Sequence, residues 1–345
     1  MSQDSSKNIV ILGGSYGGLP KKASYQVILI STLSQAICRP AYPRALISDA
    51  IFPREKLFVG VPQQFEQYLK DSFRFIQGTA TKLDHDNRYV TASLKDGSIE
   101  KMAYHALVIA TGTSTTSPLL GLNGDLSLPN AKHIVIAGGG PTGVETAGEL
   151  GEYPNGGAGW FGSKLENPKV TFTLVTASSK ILPVLRSIGV TVVTGSRVAT
   201  VSSTGAGTES ALTTNATVTL EDGKILEADL YIPATGDVVN TGFIHESLLT
   251  ARGSVETNIF TLRVDKSGAR VYAIGDVGSH ARPAVHNILN TVPTLCVNIK
   301  RDLLLVEEKE ESTVGADRVF KEDTRETQLV PIGKSKGVGA AMGFQ

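Results

Sequence analysis

The fold of this chain is constrained most strongly by a glycine-rich turn between a predicted strand and a predicted helix. Residues 132–137 (KHIVIA) form an apolar run typical of a buried strand, and residues 144–152 predict a helix. Between them, Gly138, Gly140 and Gly143 have the spacing G-x-G-x-x-G. In this pattern the first glycine permits a sharp turn, the second lets a pyrophosphate touch the backbone, and the third allows the helix to pack closely. The helix N-terminus offers N–H groups and partial positive charge, so the pattern predicts a dinucleotide site.

A less regular copy of the same order lies near the N-terminus. Residues 8–12 (NIVIL) and 25–30 (YQVILI) predict two buried strands. The turn between them contains Gly13, Gly14, Ser15, Gly17 and Gly18. Gly13 and Gly18 fit the outer positions, whereas Ser15 takes the middle one and hampers a phosphate's approach without excluding it. The duplication predicts an α/β fold with two Rossmann-like nucleotide-binding domains.

The remaining pattern completes two similar halves. Hairpin-connected strands are predicted at residues 73–83, 89–94 and 104–110, and again at 190–201, 216–220 and 226–233. A late buried strand is predicted at 270–274, a helix at 282–305, a solvated acidic loop at 307–311 and a strand-like segment at 329–345.

The composition excludes several classes of function. Lys plus Arg and Asp plus Glu balance at 33 each, which gives no electrostatic reason to expect nucleic acid as a partner. The two cysteines, Cys38 and Cys296, form no C-x-x-C pair, which argues against a disulfide scaffold, a zinc site and a dithiol shuttle. No metal site is expected. No apolar run approaches the roughly 20 residues of a membrane span. We therefore expect a cytoplasmic protein, and peripheral membrane association stays open.

Five short motifs in order point to a known family. They are residues 13–18, Ala110-Thr111-Gly112, residues 138–145, Ala234-Thr235-Gly236 and Ala273-Ile274-Gly275-Asp276. In this order they resemble the FAD/NAD(P)-dependent pyridine nucleotide-disulfide oxidoreductases. More narrowly, the chain is similar to the apoptosis-inducing-factor-like (AMID-like, ferroptosis-suppressor-like) branch, especially its fungal members. The resemblance covers nearly the whole chain and implies two domains of the glutathione-reductase type.

The resemblance also implies roles for single residues. FAD would be bound by residues 1–128 and 240–289, NAD(P)H by the inserted residues 129–239, and residues 290–345 would form an incomplete C-terminal domain. On the FAD side, the implied residues are Gly13, Gly14, Ser15, Gly17, Gly18, Arg44, Gly275 and Asp276. Thr111 and Gly112 would line the link between the two domains. On the NAD(P)H side they are Gly138, Gly140, Gly143, Glu145 and Gly236. Asp276 would accept hydrogen bonds from a ribityl hydroxyl. A surface ion pair is an equally serious explanation for a lone arginine such as Arg44.

The absence of a redox cysteine pair predicts the route of the electrons. Disulfide reductases of this kind carry a C-x-x-x-x-C pair after the first glycine turn, and this chain has none. Electrons would therefore leave the flavin directly for a small acceptor. The resemblance implies a quinone, and another flavoprotein or oxygen stays open. After the predicted strand 170–175, the residues TASSK contain no acid, and Lys180 favours NADPH slightly over NADH.

The sequence departs from the family in four places. Residues 19–24 are too few for a crossover helix, because a parallel connection needs at least about 10 to 12 residues. Residues 126–130 and 185–189 are bare connections where the family has helices, and the chain ends inside the expected C-terminal domain. These deficits predict a shortened member and leave two alternatives: a non-catalytic relative that binds one nucleotide or a protein partner, and a nicotinamide-binding regulator.

Overall fold

The chain forms two compact units. A computed structural model describes residues 7–14, 25–38, 53–117, 119–120, 131–157, 164–179, 183–208, 215–307, 310–325, 328–334 and 336–340. The first unit contains Met1–Ile37, Phe58–Thr113 and Val239–Thr324; the second contains Cys38–Leu57, Ser114–Val238 and Arg325–Gln345.

The described residues form twenty β-strands, most of them short, and five α-helices. The strands are β1 (Asn8–Leu12), β2 (Gln26–Ser31), β3 (Gln35–Ile37), β4 (Phe58–Gly60), β5 (Phe73–Asp84), β6 (Tyr89–Leu94), β7 (Ile99–Ala103), β8 (Ala106–Ile109), β9 (Thr113–Thr115), β10 (His133–Ala137), β11 (Thr171–Thr176), β12 (Val190–Thr194), β13 (Val198–Ser202), β14 (Ala216–Leu220), β15 (Ile225–Ala228), β16 (Leu230–Pro233), β17 (Asp237–Val239), β18 (Val271–Ala273), β19 (Gln328–Ile332) and β20 (Lys336–Ala340). The helices are α1 (Val61–Gln64), α2 (Pro141–Asn155), α3 (Pro183–Arg186), α4 (Val285–Val306) and α5 (Glu311–Val314). None of these helices is long and apolar enough to cross a bilayer.

The first unit is built on a seven-stranded sheet in the order β18-β8-β1-β2-β5-β6-β7. The strands from β18 to β5 are parallel, and β6 and β7 add an antiparallel edge. All five residues of β1 are buried, because alternate side chains enter the cores on opposite faces of the sheet. Ile9 and Ile11 share one of these cores with three residues of α4, spaced four apart on one helix face: Leu295, Ile299 and Leu303.

The second unit contains a parallel sheet in the order β12-β11-β10-β16. Helix α2 covers one face, where Ala147 and Leu150 pack with Ile134 and Ile136 of β10. The antiparallel sheet β13-β14-β15 covers the other face. The hairpin β19–β20 packs on α2, since a Cβ added at Gly148 would lie 2.9 Å from Ile332 Cα. The predicted α/β fold is therefore confirmed.

Two predicted hairpin strands are wrong. The sequence predicts that residues 104–110 belong to a hairpin, but the hairpin partner of β6 is β7, and β8 lies between β1 and β18 in parallel. Residues 226–233 divide at Asp229: β15 pairs with β14 in antiparallel fashion, whereas β16 joins β10 in parallel. The Asp229 carboxylate accepts hydrogen bonds from the Lys132 and His133 N–H groups at 2.7 and 2.9 Å. Every residue of β8 is buried, as in a central parallel strand.

Other predictions need smaller corrections. Residues 190–201 form two strands, β12 and β13. The acidic segment 307–311 is not simply a solvated loop: Glu307 accepts a hydrogen bond from the Tyr25 hydroxyl at 3.0 Å, and α5 begins at Glu311. The connection at 185–189 is not bare, because α3 ends inside it and buries Leu185 completely. Residues 19–24 and 126–130 lie outside the described residues.

Candidate nucleotide-binding sites

The glycine turn of the second unit follows β10 directly. Gly138 has a φ of +120°, and a Cβ added there would overlap the carbonyl oxygen of Ala234. Its N–H donates to the Val175 carbonyl at 2.9 Å, which holds the turn against β11. Gly143 is equally constrained, because its Cβ would overlap the Gly138 carbonyl oxygen. Folding of the turn therefore requires glycine at the first and third positions.

Gly140 differs from both neighbours in the motif. Its φ is −72°, which any residue adopts, and no atom lies within 4 Å of a Cβ built there. Neither backbone strain nor packing within the described residues explains a glycine at this position. A ligand that approaches the backbone does explain it, as predicted for the middle glycine of a dinucleotide-binding turn.

The N-terminus of α2 points to the same kind of ligand. The helix has 15 residues, starts with Pro141, and its N-cap Gly140 makes no side-chain capping hydrogen bond. Its first turn contains no acidic residue. The partial positive charge of this helix end is thus not offset locally, which favours an anion such as a pyrophosphate.

A cavity of about 880 Å³ opens over this turn, within the second unit. Its volume lies inside the range of small-molecule sites, roughly 300–1,000 Å³. It is lined by residues at the carboxyl ends of β10, β11, β12 and β16, among them Gly140, Thr176, Ser178, Ser196, Arg197 and Gly236. Glu145 lies on α2, half-buried, and does not line the cavity.

The first unit repeats this construction. Gly13 has a φ of +110°, its N–H donates to the Ile30 carbonyl at 2.8 Å, and its Cβ would overlap the Ala110 carbonyl oxygen. Gly14 faces Ser31 as Gly139 faces Thr176: in each pair a glycine Cβ would meet the hydroxyl side chain at the end of the second strand. The first two residues of each turn therefore make equivalent contacts, in agreement with the predicted duplication.

Further predicted cofactor-binding residues lie at this edge of the first sheet. Thr111 and Gly112 follow β8, and Gly275 and Asp276 follow β18. Since β1, β8 and β18 are adjacent and parallel, their carboxyl ends, and Gly13 with them, lie within about 10 Å of each other. Gly275 has a φ of +72° with open space around it. Ser15, Gly17, Gly18 and Arg44 lie outside the described residues.

Two residues in this unit were not found from the sequence. Asn240 donates through Nδ2 to the Thr111 carbonyl at 2.9 Å, and the Thr111 hydroxyl donates to the Asn240 carbonyl at 2.8 Å. These two hydrogen bonds join the segment after β8 to the start of Val239–Thr324, where the chain re-enters the first unit. His280, four residues after Asp276, is 6% exposed, and burial lowers its pKa to about 4. No sequence signal marks either residue, because the bonds of Asn240 and the burial of His280 depend on contacts with distant segments.

The thiols and the metal-binding side chains form no redox or metal centre in the described part of the chain. Cys38 is exposed, and burial of Cys296 raises the pKa of its thiol. No group of three His, Cys, Asp or Glu side chains is placed to hold a metal ion among the residues described.

Comparisons with known proteins agree with this geometry. The profile of the family described as pyridine nucleotide-disulphide oxidoreductase matches residues 7–295. Oxidoreductase phnG of Penicillium herquei is 64% identical over 379 residues, covering 99% of this chain and 91% of that protein. Ferroptosis suppressor protein 1 of Mus musculus is 26% identical over 382 residues, covering 98% and 89%. The structure of NDH2 from Plasmodium falciparum in complex with NADH has a TM-score of 0.66 at 16% identity, covering 97% of this chain and 90% of that one.

Both alignments are longer than the 345 residues of this chain. The two relatives therefore have internal residues without a counterpart here. The resemblance read from the five motifs is confirmed by the family match and by these relatives.

Proposed function

Because the chain belongs to the pyridine nucleotide-disulphide oxidoreductase family, whose members are flavin-dependent NAD(P)H oxidoreductases, we propose that it oxidises NAD(P)H with FAD and reduces a quinone without a dithiol relay. The observation that carries this proposal is Gly140: the space that its side chain would occupy is empty, and a bound pyrophosphate would explain why glycine stands there. Bound FAD would supply the hydride acceptor and the electron donor.

The second unit holds the nicotinamide nucleotide in this proposal. The backbone at Gly140 and the first turn of α2 receive the pyrophosphate. The carboxyl end of β11, at Thr176 and Ser178, lies where a Rossmann fold places the adenosine ribose. Gly236, across β10, lines the other end of the cavity and leaves room there for the nicotinamide half.

The first unit holds FAD. Gly13 and Gly14 would let the backbone approach its pyrophosphate, and the Asp276 carboxylate would accept a hydrogen bond from a ribityl hydroxyl. The contributions of Ser15, Gly17, Gly18 and Arg44, and of Glu145 near the nicotinamide, stay predictions from the resemblance. So does the assignment of FAD to residues 1–128 and 240–289 and of NAD(P)H to residues 129–239.

The choice of acceptor is supported by the cysteines and by the resemblance. The whole chain has two cysteines, and they form no C-x-x-x-x-C pair. The Cys296 thiol is half-buried, and its raised pKa makes it a poor nucleophile at neutral pH. A protein dithiol is therefore a poor candidate for the electron relay, and the AMID-like resemblance favours a quinone. The cytoplasm stays the predicted compartment, with peripheral membrane association open.

The test separates the nicotinamide step from the acceptor step. Purified protein is incubated with FAD, freed of excess by gel filtration, and mixed anaerobically with NADPH or NADH while the flavin absorbance is followed. We expect bleaching of the flavin, and recovery of its absorbance when a short-chain ubiquinone analogue is added. Flavin that neither nucleotide bleaches would refute the proposal. Bleaching that only oxygen reverses would refute the quinone alone.

A non-catalytic nucleotide-binding protein is the second candidate. It is favoured by the internal residues that the relatives have and this chain lacks. In that case the protein would bind NADPH in the second unit and stay colourless after incubation with FAD.

A further inference from the structure

The cavity of the second unit contains polar groups that the proposed pyrophosphate contacts do not use. They lie where β11 and β12 end, side by side in the parallel sheet. Ser196 N–H donates to the Thr176 carbonyl, and Gly195 N–H donates to the Ser178 carbonyl, both at 3.2 Å. These two bonds fix the segment after β12 against the segment after β11. Ser178, Ser196 and Arg197 consequently line one end of the cavity together.

The Ser196 hydroxyl is an unusual feature of this end. Ser196 is 5% exposed, and its Oγ has no hydrogen-bond partner in the described part of the chain. A buried hydroxyl without a partner costs free energy, so such groups usually serve a ligand or bind water. Ser196 also lines the cavity, so its hydroxyl lies beside the space that a ligand would occupy.

The charge at this end is positive. Arg197 is exposed and makes no ion pair with any described residue. Its backbone is fixed, because the Glu221 N–H donates a hydrogen bond to the Arg197 carbonyl at 2.9 Å. The other charged residue lining the cavity is Asp237, which follows β16. In the order β12-β11-β10-β16 these two ends are three strand spacings apart, about 14 Å, which exceeds the Debye length in physiological salt. Asp237 therefore leaves the charge of Arg197 largely uncompensated.

The end of β11 also lacks the group that suits NADH. A carboxylate there would accept from the ribose 2′-hydroxyl and repel a 2′-phosphate. Residues 177–179 are Ala177, Ser178 and Ser179. We propose that Ser178, Ser196 and Arg197 form a subsite for the 2′-phosphate of the adenosine ribose, so that this chain uses NADPH in preference to NADH. The inference rests on the proposed function, because it assumes that the cavity holds a nicotinamide dinucleotide.

The test uses binding alone, with fragments that differ by one phosphate. Adenosine 2′,5′-bisphosphate and adenosine 5′-monophosphate are titrated into the full chain by calorimetry, followed by NADPH and NADH. We expect the bisphosphate to bind more tightly than the monophosphate, and NADPH to bind more tightly than NADH. In Arg197→Ala the ratio of NADPH affinity to NADH affinity should fall about tenfold, because one charge-assisted contact to the 2′-phosphate is lost. The affinity for NADH should not change. Arg186→Ala removes an exposed arginine of the same unit that does not line the cavity, and should change neither affinity.

Ser178→Asp supplies the converse test. A carboxylate at the end of β11 should weaken NADPH binding and leave NADH binding equal or stronger. The subsite is refuted if NADH binds the unmodified chain as tightly as NADPH, or if Arg197→Ala weakens both nucleotides equally; the proposed function survives either result. If the unmodified chain binds neither NADPH nor NADH, the proposed function is refuted, and the subsite with it.

Discussion

Replacing Gly140 by valine should abolish most nucleotide binding and leave the fold intact. The position has an extended-type backbone with φ −72° and ψ 177°, and no atom lies within 4 Å of its added Cβ. Valine at a helix N-cap destabilises the fold by about 1 kcal/mol relative to glycine. Replacing glycine also lowers the conformational entropy of the unfolded chain, which stabilises the fold by about 0.4–1 kcal/mol. The free energy of unfolding should therefore change by less than about 1 kcal/mol.

The effect on binding is larger, because the new side chain fills the open space beside the first turn of α2. A pyrophosphate displaced from there loses one or two hydrogen bonds to a charged group. Each is worth about 1.5–3 kcal/mol, so we expect a loss of about 2–4 kcal/mol. That corresponds to a rise in Kd of roughly 30- to 700-fold for NADPH.

Gly143→Ala is the matched control within the same motif. Its Cβ would overlap the Gly138 carbonyl oxygen, which belongs to a backbone held by the bond from Gly138 N–H to Val175. Such overpacking costs about 1–3 kcal/mol, so this variant should lose stability. For both variants, the affinity for NADPH is measured by calorimetry and the free energy of unfolding by urea denaturation. Unchanged NADPH affinity in Gly140→Val would show that the nucleotide does not use this turn, and a stability loss as large as that of Gly143→Ala would refute the steric reasoning.

Three further outcomes are expected. The double variant Cys38→Ser/Cys296→Ser should keep most NADPH:quinone activity; loss of turnover in a folded double variant would contradict the direct route. His280 is neutral at pH 7 because burial lowers its pKa from 6.5 to about 4, so its protonation costs stability as pH falls from 6.5 to 4, by roughly 3 kcal/mol in total. His280→Gln should lose less stability across that range in urea unfolding, and an identical pH dependence would exclude His280 as the cause. Flavin absorbance per chain after gel filtration should be substoichiometric and recover partly with added FAD, because Ser15 replaces the middle glycine; stoichiometric, tightly retained FAD would contradict this.

The amino-acid sequence determined the strand–glycine–helix pattern and the family. These properties are local: the spacing of Gly138, Gly140 and Gly143 and the apolar runs beside them are encoded within about 20 neighbouring residues. Helix α2 was found from residues 144–152, although its ends were three residues further out on each side. The roles of the first and third glycines, predicted from the motif, agree with the contacts that a Cβ would make.

Tertiary structure decided which distant segments meet. The sequence placed β8 and β16 in hairpins, since a short apolar run does not reveal its partner. Only the sheet shows that both pair in parallel with the strand before a glycine turn, and that the carbonyl oxygens of Ala110 and Ala234 therefore exclude side chains at Gly13 and Gly138. Arg197 is 57 residues from Gly140 in sequence and reaches the same cavity because β12 pairs beside β11. Such contacts depend on long-range strand pairing, which no local pattern specifies.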